Sequence, residues 1–155
     1  MFKKYILVFL VSMVPIVELR GAIPFAVGMD LKLLPSYIIA IIGNMIPVPF
    51  IYLFARKILN FGKDKKIIGK FFTWILNKGE KAGKKIENKS KYGIYVALML
   101  FVGIPLPGTG AWTGSLAASI LNMDFKKTTI FVMLEVLLAG LIMMGLSYGI
   151  FELIF

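Results

Sequence analysis

Six apolar stretches recur along the chain and leave little polar sequence for a surface in water. They cover residues 5–17, 21–29, 33–55, 93–104, 111–123 and 128–151. Hydrophobic residues make up 59% of the 155 residues and charged residues only 17%, against roughly 25% in soluble domains. Because a chain of this length cannot bury so much apolar surface, we predict a single integral membrane domain spanning residues 1–155.

Two of the stretches are long enough to cross a bilayer, which takes about 20 apolar helical residues. They are residues 33–55 and 128–151. The first contains Gly43-Asn44, Pro47 and Pro49, which predict a kink because proline removes a helical hydrogen bond. We therefore expect two full transmembrane helices, of which the first is bent.

The remaining stretches are short and are separated by segments rich in proline and glycine. One such segment runs from Pro15 to Pro24 and the other from Gly103 to Gly110. Neither suits a regular helix. Each pair of short stretches therefore predicts a half-helix, a broken tip and a returning half-helix, which together form a re-entrant hairpin.

This order of hairpin and crossing helix occurs twice, in residues 1–55 and 93–155. Asp30-Leu31-Lys32 before the first crossing matches Asp124-Phe125-Lys126 before the second. We predict an all-α polytopic membrane protein with two inverted repeats, each a re-entrant helical hairpin plus a full transmembrane helix. Interrupted segments at matching positions in two halves are typical of a transport site.

Positive charge is concentrated between the two repeats, in the connector formed by residues 56–92. The net charge is +10, and twelve Lys/Arg residues but only three acidic residues lie in this connector. Such loops stay cytoplasmic. Apolar residues at helical spacing around Phe71 and Trp74 predict an amphipathic helix in the headgroup layer, drawn to anionic lipid.

Two topologies remain open on charge alone. If the hairpins do not cross, Lys126 and Lys127 lie on the cytoplasmic side, and both termini, with Lys3 and Lys4, lie outside. Four full spans would instead place both termini inside and Lys126 and Lys127 outside. The short stretches and broken backbone favour hairpins. We predict a multi-pass protein of the inner membrane.

Glu18 and Arg20 are ionisable residues between apolar stretches, where charge is costly and usually functional. Arg20 offers a planar fork suited to phosphate or carboxylate, and Glu18 could carry a proton. Being two apart, they do not share a helix face, which suits a loop tip. The structural alternative is an ion pair that only pins the tip.

The second tip contributes potential backbone donors rather than charge. Its glycines let N–H groups face a ligand, and the returning half-helix near Ala111 would direct its positive end at the tip. An anionic group could bind between this end and Arg20, or the small residues could simply permit close helix packing. The candidate binding residues here are Pro105, Pro107, Gly108, Thr109, Gly110, Trp112 and Thr113.

Glu135 lies inside the second crossing, with Phe131 and Ala139 at four residues on either side. It must pair with another segment, for which Arg20 is a candidate, or stay protonated. Asn44 lies near the corresponding place in the first repeat. Both are therefore candidates for substrate or ion binding.

The absence of cysteine and histidine removes several kinds of chemistry. It excludes disulfides, thiolate nucleophiles and cysteine or histidine metal sites. The eight acidic residues are scattered, and no nucleophile–base pair is visible. We expect no enzyme activity, no catalytic residue, no metal, no cofactor and no nucleic-acid partner.

The two tips resemble the signature segments of the small multidrug export protein family. That family is similar to the DedA (VTT, SNARE-associated) superfamily, which is described with two facing re-entrant hairpins and implicated in flipping undecaprenyl phosphate. The resemblance implies that Glu18 is the acidic residue of the first hairpin and Arg20 the basic one beside it. The segments are Glu18-Leu19-Arg20-Gly21-Ala22-Ile23-Pro24 and Pro105-Leu106-Pro107-Gly108-Thr109-Gly110-Ala111-Trp112-Thr113-Gly114.

These patterns favour a small transporter that translocates an anionic or phosphate-bearing lipid or lipid carrier, with Glu18 coupling protons and Arg20 holding the charge. Proton-coupled efflux of amphipathic cationic drugs through Glu18 and Glu135 is an alternative, and a non-transporting scaffold or assembly factor is another. The expected partners are membrane lipids with anionic headgroups and a coupling proton or cation. Two crossings enclose little cavity, so a homo-oligomer is also expected.

Overall fold

A computed structural model describes residues 2–64, 69–70, 73–74, 77, 92–103 and 110–154. This part of the chain is helical throughout, with short turns and no strand. Its principal helices are α1 Phe2–Met13, α2 Glu18–Gly28, α3 Leu33–Met45, α4 Pro47–Lys63, α5 Gly93–Gly103, α6 Ala111–Ile120 and α7 Phe125–Ile154. The prediction of an all-α chain is confirmed for these residues.

Helices α1 and α2 form a hairpin whose two ends lie together. Lys4 Nζ donates a hydrogen bond to the Met29 carbonyl at 3.0 Å, which joins the start of α1 to the end of α2. Residues 14–17 form the turn, where Ile16 has a φ of 75°. That left-handed conformation is unusual for a β-branched residue.

Helices α3 and α4 together form one long apolar rod with a break at Ile46. Pro47 begins α4, and neither it nor Pro49 has an amide N–H, so two carbonyls of the preceding turn lose their helical donors. The predicted kink is therefore present as a helix boundary. The rod runs over 31 residues from Leu33 to Lys63, eight residues beyond the crossing predicted from residues 33–55.

The second hairpin also brings its two ends together. The Asp124 backbone N–H donates to the Tyr95 hydroxyl at 3.1 Å. Lys127 Nζ lies 5.8 Å from the Tyr92 ring centroid and 5.6 Å from that of Tyr95. The start of α5, the end of α6 and the start of α7 therefore lie at one end of the molecule.

Helices α2 and α6 end in the same way. The N–H of Leu31 donates to the Ala26 carbonyl and that of Met123 to the Ala118 carbonyl, at 3.1 and 3.0 Å. The residue before each donor is left-handed, Asp30 with a φ of 56° and Asn122 with a φ of 57°. This is the Schellman arrangement, which satisfies carbonyls at a helix end. The two halves thus share a local cap.

Several polar side chains are buried and many large apolar ones face outward, as expected in lipid. On α4 the exposed residues include Phe50, Phe54 and Phe61, at 60%, 62% and 68%. The buried polar or charged residues include Glu18, Asn44 and Glu135. Two helices, Leu33–Lys63 and Phe125–Gly149, are long and apolar enough to cross a membrane.

The main core lies between α1, α2, α3 and α7, with Val48 of α4 and Ala111 of α6 at its edge. Tyr37 on α3 donates its hydroxyl to the Leu137 carbonyl at 2.9 Å. Gly140 on α7 lies under the Tyr37 ring, where a Cβ would come within 2.4 Å of Cε2 and 3.2 Å of a Leu19 methyl. The long helix α7 is therefore held against the first hairpin by a glycine contact and a tyrosine.

Two details of the sequence interpretation are wrong. The first tip was expected to be broken from Pro15 to Pro24, but α2 begins at Glu18 and contains Pro24. Neighbouring helices permit a proline inside such a helix. The repeat was matched through Asp30 and Asp124, whereas the cap equivalent to Asp30 lies at Asn122, since local hydrogen bonding sets the register rather than residue identity.

Other predictions fall wholly or partly outside the described residues. Pro105, Pro107, Gly108 and Thr109 are among them. So is most of the predicted amphipathic helix of the connector, of which five residues are described as helical. These are Gly69, Lys70, Thr73, Trp74 and Asn77.

Candidate functional site

Glu18 links the two hairpins at their tips. It is the first residue of α2, has a φ of 50° and is only 4% exposed. Its Oε2 accepts the Ala111 backbone N–H at 3.2 Å and its Oε1 accepts that of Trp112 at 3.1 Å. The carboxylate thus caps the N-terminus of α6, where free N–H groups and the helix dipole stabilise negative charge.

Gly110 makes this approach possible. A Cβ built at this position would lie 1.7 Å from Glu18 Oε2 and 2.3 Å from its carboxyl carbon. Residues that carry a Cβ could not keep this geometry. Gly110 was selected from the sequence because a glycine lets backbone N–H groups face a ligand. In the structure the group that approaches it is the Glu18 carboxylate.

The capping contact changes the interpretation of the second tip. The half-helix was predicted to begin near Ala111, and α6 does begin there. One of the two interpretations left open had its first N–H groups facing an anionic ligand; in the structure, those of Ala111 and Trp112 donate to Glu18. The sequence could not reveal this because the two residues are more than ninety positions from Glu18.

Arg20 and Glu135 form a second link, from α2 to α7. Arg20 Nη2 lies 3.2 Å from Glu135 Oε1, and their side chains are 13% and 2% exposed. Glu135 Oε2 is buried and accepts no hydrogen bond from the described residues. The pairing with Arg20 that the sequence left as one possibility is therefore present. Glu18 and Arg20 lie in the first turn of a helix rather than in a loop, and reach different partners.

A cleft of about 380 Å³ opens between the tips. Glu18 and Arg20 supply its ionisable side chains, and the Trp112 ring forms part of its wall. The Trp112 indole N–H is buried without an acceptor among the described residues. The remaining lining residues are Pro15, Ile16, Ile51, Gly110, Thr113 and Leu116.

The cleft gathers only part of the predicted set. Glu18, Arg20, Gly110, Trp112 and Thr113 line it, whereas Glu135 and Asn44 do not. Glu135 reaches it through Arg20. The Asn44 side chain is buried on α3, and its Oδ1 has no donor among the described residues.

Sequence reasoning missed several cleft residues. Ile51 and Leu116 are apolar residues on α4 and α6, and nothing distinguishes them in sequence from lipid-facing neighbours. Pro15 and Ile16 belong to the first turn, and proximity to Glu18 was an available signal for them. In the described part of the chain, no cluster of three acidic residues could hold a metal ion.

Comparison with known proteins gives one family. The model of the family described as "Putative small multi-drug export protein" matches residues 18–142. The match begins at Glu18 and includes Arg20, the second tip and Glu135. No curated protein and no solved structure matches the chain significantly.

Proposed function

Because the chain belongs to the family of small multi-drug export proteins, we propose that this membrane protein exports amphipathic cationic compounds in exchange for protons. The observation that carries the proposal is the cleft between the hairpin tips. It combines apolar and aromatic walls with the Glu18 carboxyl at a volume of about 380 Å³, which is within the range of small-molecule sites.

The charge around the cleft favours a cation. Two carboxyl groups, Glu18 and Glu135, lie near one guanidinium, Arg20. The helix N-terminus that would have attracted an anion already holds Glu18. The N–H groups of Ala111 and Trp112 are therefore unavailable to a phosphate while Glu18 caps α6. An anionic substrate would find fewer hydrogen-bond donors in the cleft.

Glu18 is also placed to couple a proton to movement of the tips. As a carboxylate it accepts two backbone N–H groups of α6. A proton on either oxygen would remove charge from this contact and weaken it, since charge-assisted hydrogen bonds are roughly twice as strong as neutral ones. Protonation would thus loosen the second hairpin from the first, next to the bound compound.

For the topology we propose two inverted units, each a re-entrant hairpin followed by a crossing helix. The hairpin helices contain 10 to 12 residues, or about 15–18 Å each, so two hairpins meeting at their tips match a bilayer core of about 30 Å. Lys127 lies beside Tyr92 at the connector end. Residues 56–92 and 124–127 are then both cytoplasmic, in an inner-membrane protein.

Single cysteines test this topology without background, because the chain contains none. Cysteines at Lys63 and Asp124 should react with a membrane-impermeant reagent only from the cytoplasmic side, and one at Asp30 only from the other side. Labelling of Asp124 from the side opposite to Lys63 would instead establish four full spans.

Transport is tested with purified protein in liposomes under a pH gradient. We expect ethidium accumulation in the wild type and its loss in Glu18→Gln, which keeps the shape and removes the charge. Asp30→Asn is the matched control, since Asp30 is exposed and lines no part of the cleft, and its transport should be unchanged. Ethidium movement that is indifferent to both the pH gradient and Glu18 would contradict the proposal.

Translocation of an anionic or phosphate-bearing lipid is the second candidate, because Arg20 lines the same cleft. The same liposomes can carry a labelled anionic phospholipid or polyprenyl phosphate. Transbilayer movement that Arg20→Gln abolishes, without ethidium transport, would favour the lipid. Inactivity of folded protein toward both probes would favour a scaffold or assembly role.

A further inference from the structure

Two adjoining cavities lie at the connector end of α4, away from the cleft. The first is a basic pocket of about 340 Å³. Arg56 and Lys63 bring positive charge to this pocket, and asparagine side chains bring amides that can donate hydrogen bonds. The basic pocket is lined by Arg56, Asn60, Lys63, Thr73, Asn77, Ser119, Ile120 and Asn122.

An apolar groove of about 520 Å³ adjoins the basic pocket. Phe50, Leu53 and Phe54 supply its apolar surface, and all three are more than half exposed. The groove shares Arg56 and Asn60 with the basic pocket. One ligand could therefore occupy both.

The order of residues on α4 matches an amphipathic ligand. Phe50, Leu53 and Phe54 precede Arg56, and Lys63 follows it at the end of the helix. The distance from Phe50 to Lys63 is about 20 Å at 1.5 Å per residue. A molecule lying along this face would place apolar chains on the phenylalanines and its polar end against the cations.

The charge of the site selects an anion. Arg56 donates to the Tyr52 hydroxyl at 3.2 Å and to Asn122 Oδ1, both of which are neutral acceptors. No acidic residue lines either cavity among the described residues, since Asp64 at the end of α4 lies outside both. With Lys57 on the groove and Lys63 in the pocket, three cations surround the polar end.

We propose that this site binds one anionic phospholipid, with its phosphate in the basic pocket and an acyl chain in the apolar groove. A free phosphate would leave the groove empty. A zwitterionic headgroup would bring its own cation close to Arg56 and Lys63 in the pocket and Lys57 on the groove. The bound lipid would brace α4 against Thr73 and Asn77 of the connector. The site shares no lining residue with the export cleft.

Native mass spectrometry of the full-length protein in detergent tests the site. Phosphatidylglycerol and phosphatidylcholine with the same acyl chains are the two probes. We expect one tightly bound phosphatidylglycerol with about tenfold preference over phosphatidylcholine, because both lipids carry the phosphate but only the choline headgroup adds a cation that the site repels. Lys57→Gln with Lys63→Gln should lower the affinity for phosphatidylglycerol about tenfold and leave that for phosphatidylcholine unchanged.

The lysine pair is chosen because both side chains are exposed, so Arg56 keeps its hydrogen bonds and the fold is not at risk. Lys3→Gln with Lys32→Gln removes the same charge at the opposite end and should have no effect. Equal affinity for phosphatidylglycerol in the wild type and the Lys57/Lys63 variant would overturn the proposal. Displacement of the lipid by inorganic phosphate at equal concentration would also overturn it, because the groove would then contribute nothing.

Discussion

The tips of the two hairpins are built on similar helices but contribute different chemical groups. The returning helices α2 and α6 are 11 and 10 residues long and end in the same left-handed cap. The first tip contributes the side chains Glu18 and Arg20, whereas the described part of the second contributes backbone N–H groups and Gly110. The two tips therefore supply complementary parts of one site, and neither tip could form it alone.

The largest expected effect follows from removing the charge of Arg20. In Arg20→Met, Glu135 would stay buried at 2% exposure without its ion-pair partner. Breaking a buried pair in this way costs about 3–5 kcal/mol. We expect unfolding in mixed micelles, followed by circular dichroism, to occur at correspondingly lower denaturant, while Lys32→Met at an exposed lysine should leave the midpoint unchanged.

A double variant tests whether Arg20 stabilises the fold mainly through its ion pair with Glu135. Arg20→Met combined with Glu135→Leu replaces the pair by apolar groups, which is often neutral in buried sites. The combined loss of stability should be well below the sum of the two single losses. Simple additivity would show that Arg20 acts through groups other than Glu135.

The next largest loss of stability is expected at the second tip, from Gly110→Ala. Gly110→Ala would place a Cβ 1.7 Å from Glu18 Oε2 and force the carboxylate away from its two donors. We expect a loss of about 2–3 kcal/mol from the unsatisfied buried groups and the overpacking. Gly145→Ala is the control, since no atom lies within 4 Å of a Cβ there, and its stability should be equal or slightly higher.

A second variant tests whether Gly110→Ala is harmful because of the clash with Glu18 or because the turn needs glycine for its backbone. Glu18→Ala should remove the clash, so the alanine at position 110 should cost much less in that background than in the wild type. An unchanged cost would mean that Gly110 is needed for the backbone alone and that the approach of Glu18 is incidental.

A smaller loss of stability is expected from Glu18→Gln, which keeps the shape of the side chain and removes its negative charge. Glutamine keeps one oxygen that can accept from Ala111 or Trp112 but loses the second acceptor and the charge. The expected destabilisation is about 1–2 kcal/mol, the difference between charged and neutral hydrogen bonds. Thermal unfolding should rank this variant between Gly110→Ala and the wild type, and a greater loss than in Gly110→Ala would contradict the capping role.

The smallest effects concern how each half is anchored. Tyr37 donates to the Leu137 carbonyl and Tyr52 to the Met123 carbonyl, and Tyr52 also accepts from Arg56. Replacing either by phenylalanine should cost about 1 kcal/mol in the free energy of unfolding, with the larger cost at Tyr52. Tyr148→Phe is the control, because Tyr148 is 56% exposed. A larger cost at Tyr37 would mean that the α3–α7 contact matters more than the anchor at Tyr52.

The sequence by itself determined the helical class, the two helices long and apolar enough to cross a membrane, and the identity of the ionisable residues. Apolar stretches and their interruption by Pro47 and Pro49 are local signals, because helix length and the lost hydrogen bonds depend only on nearby residues. Glu18, Arg20 and Glu135 were recognisable because charge between apolar stretches is costly wherever the chain folds.

Only the tertiary structure decided which of these groups meet. Nothing near Glu18 in the sequence shows that its oxygens reach Ala111 and Trp112, or that Gly110 leaves them room. The partner of Arg20 also depends on how α7 packs against α2. Hydrogen bonds to a buried carboxylate need positions correct to within a few tenths of an ångström, and such positions come from the packing of whole helices.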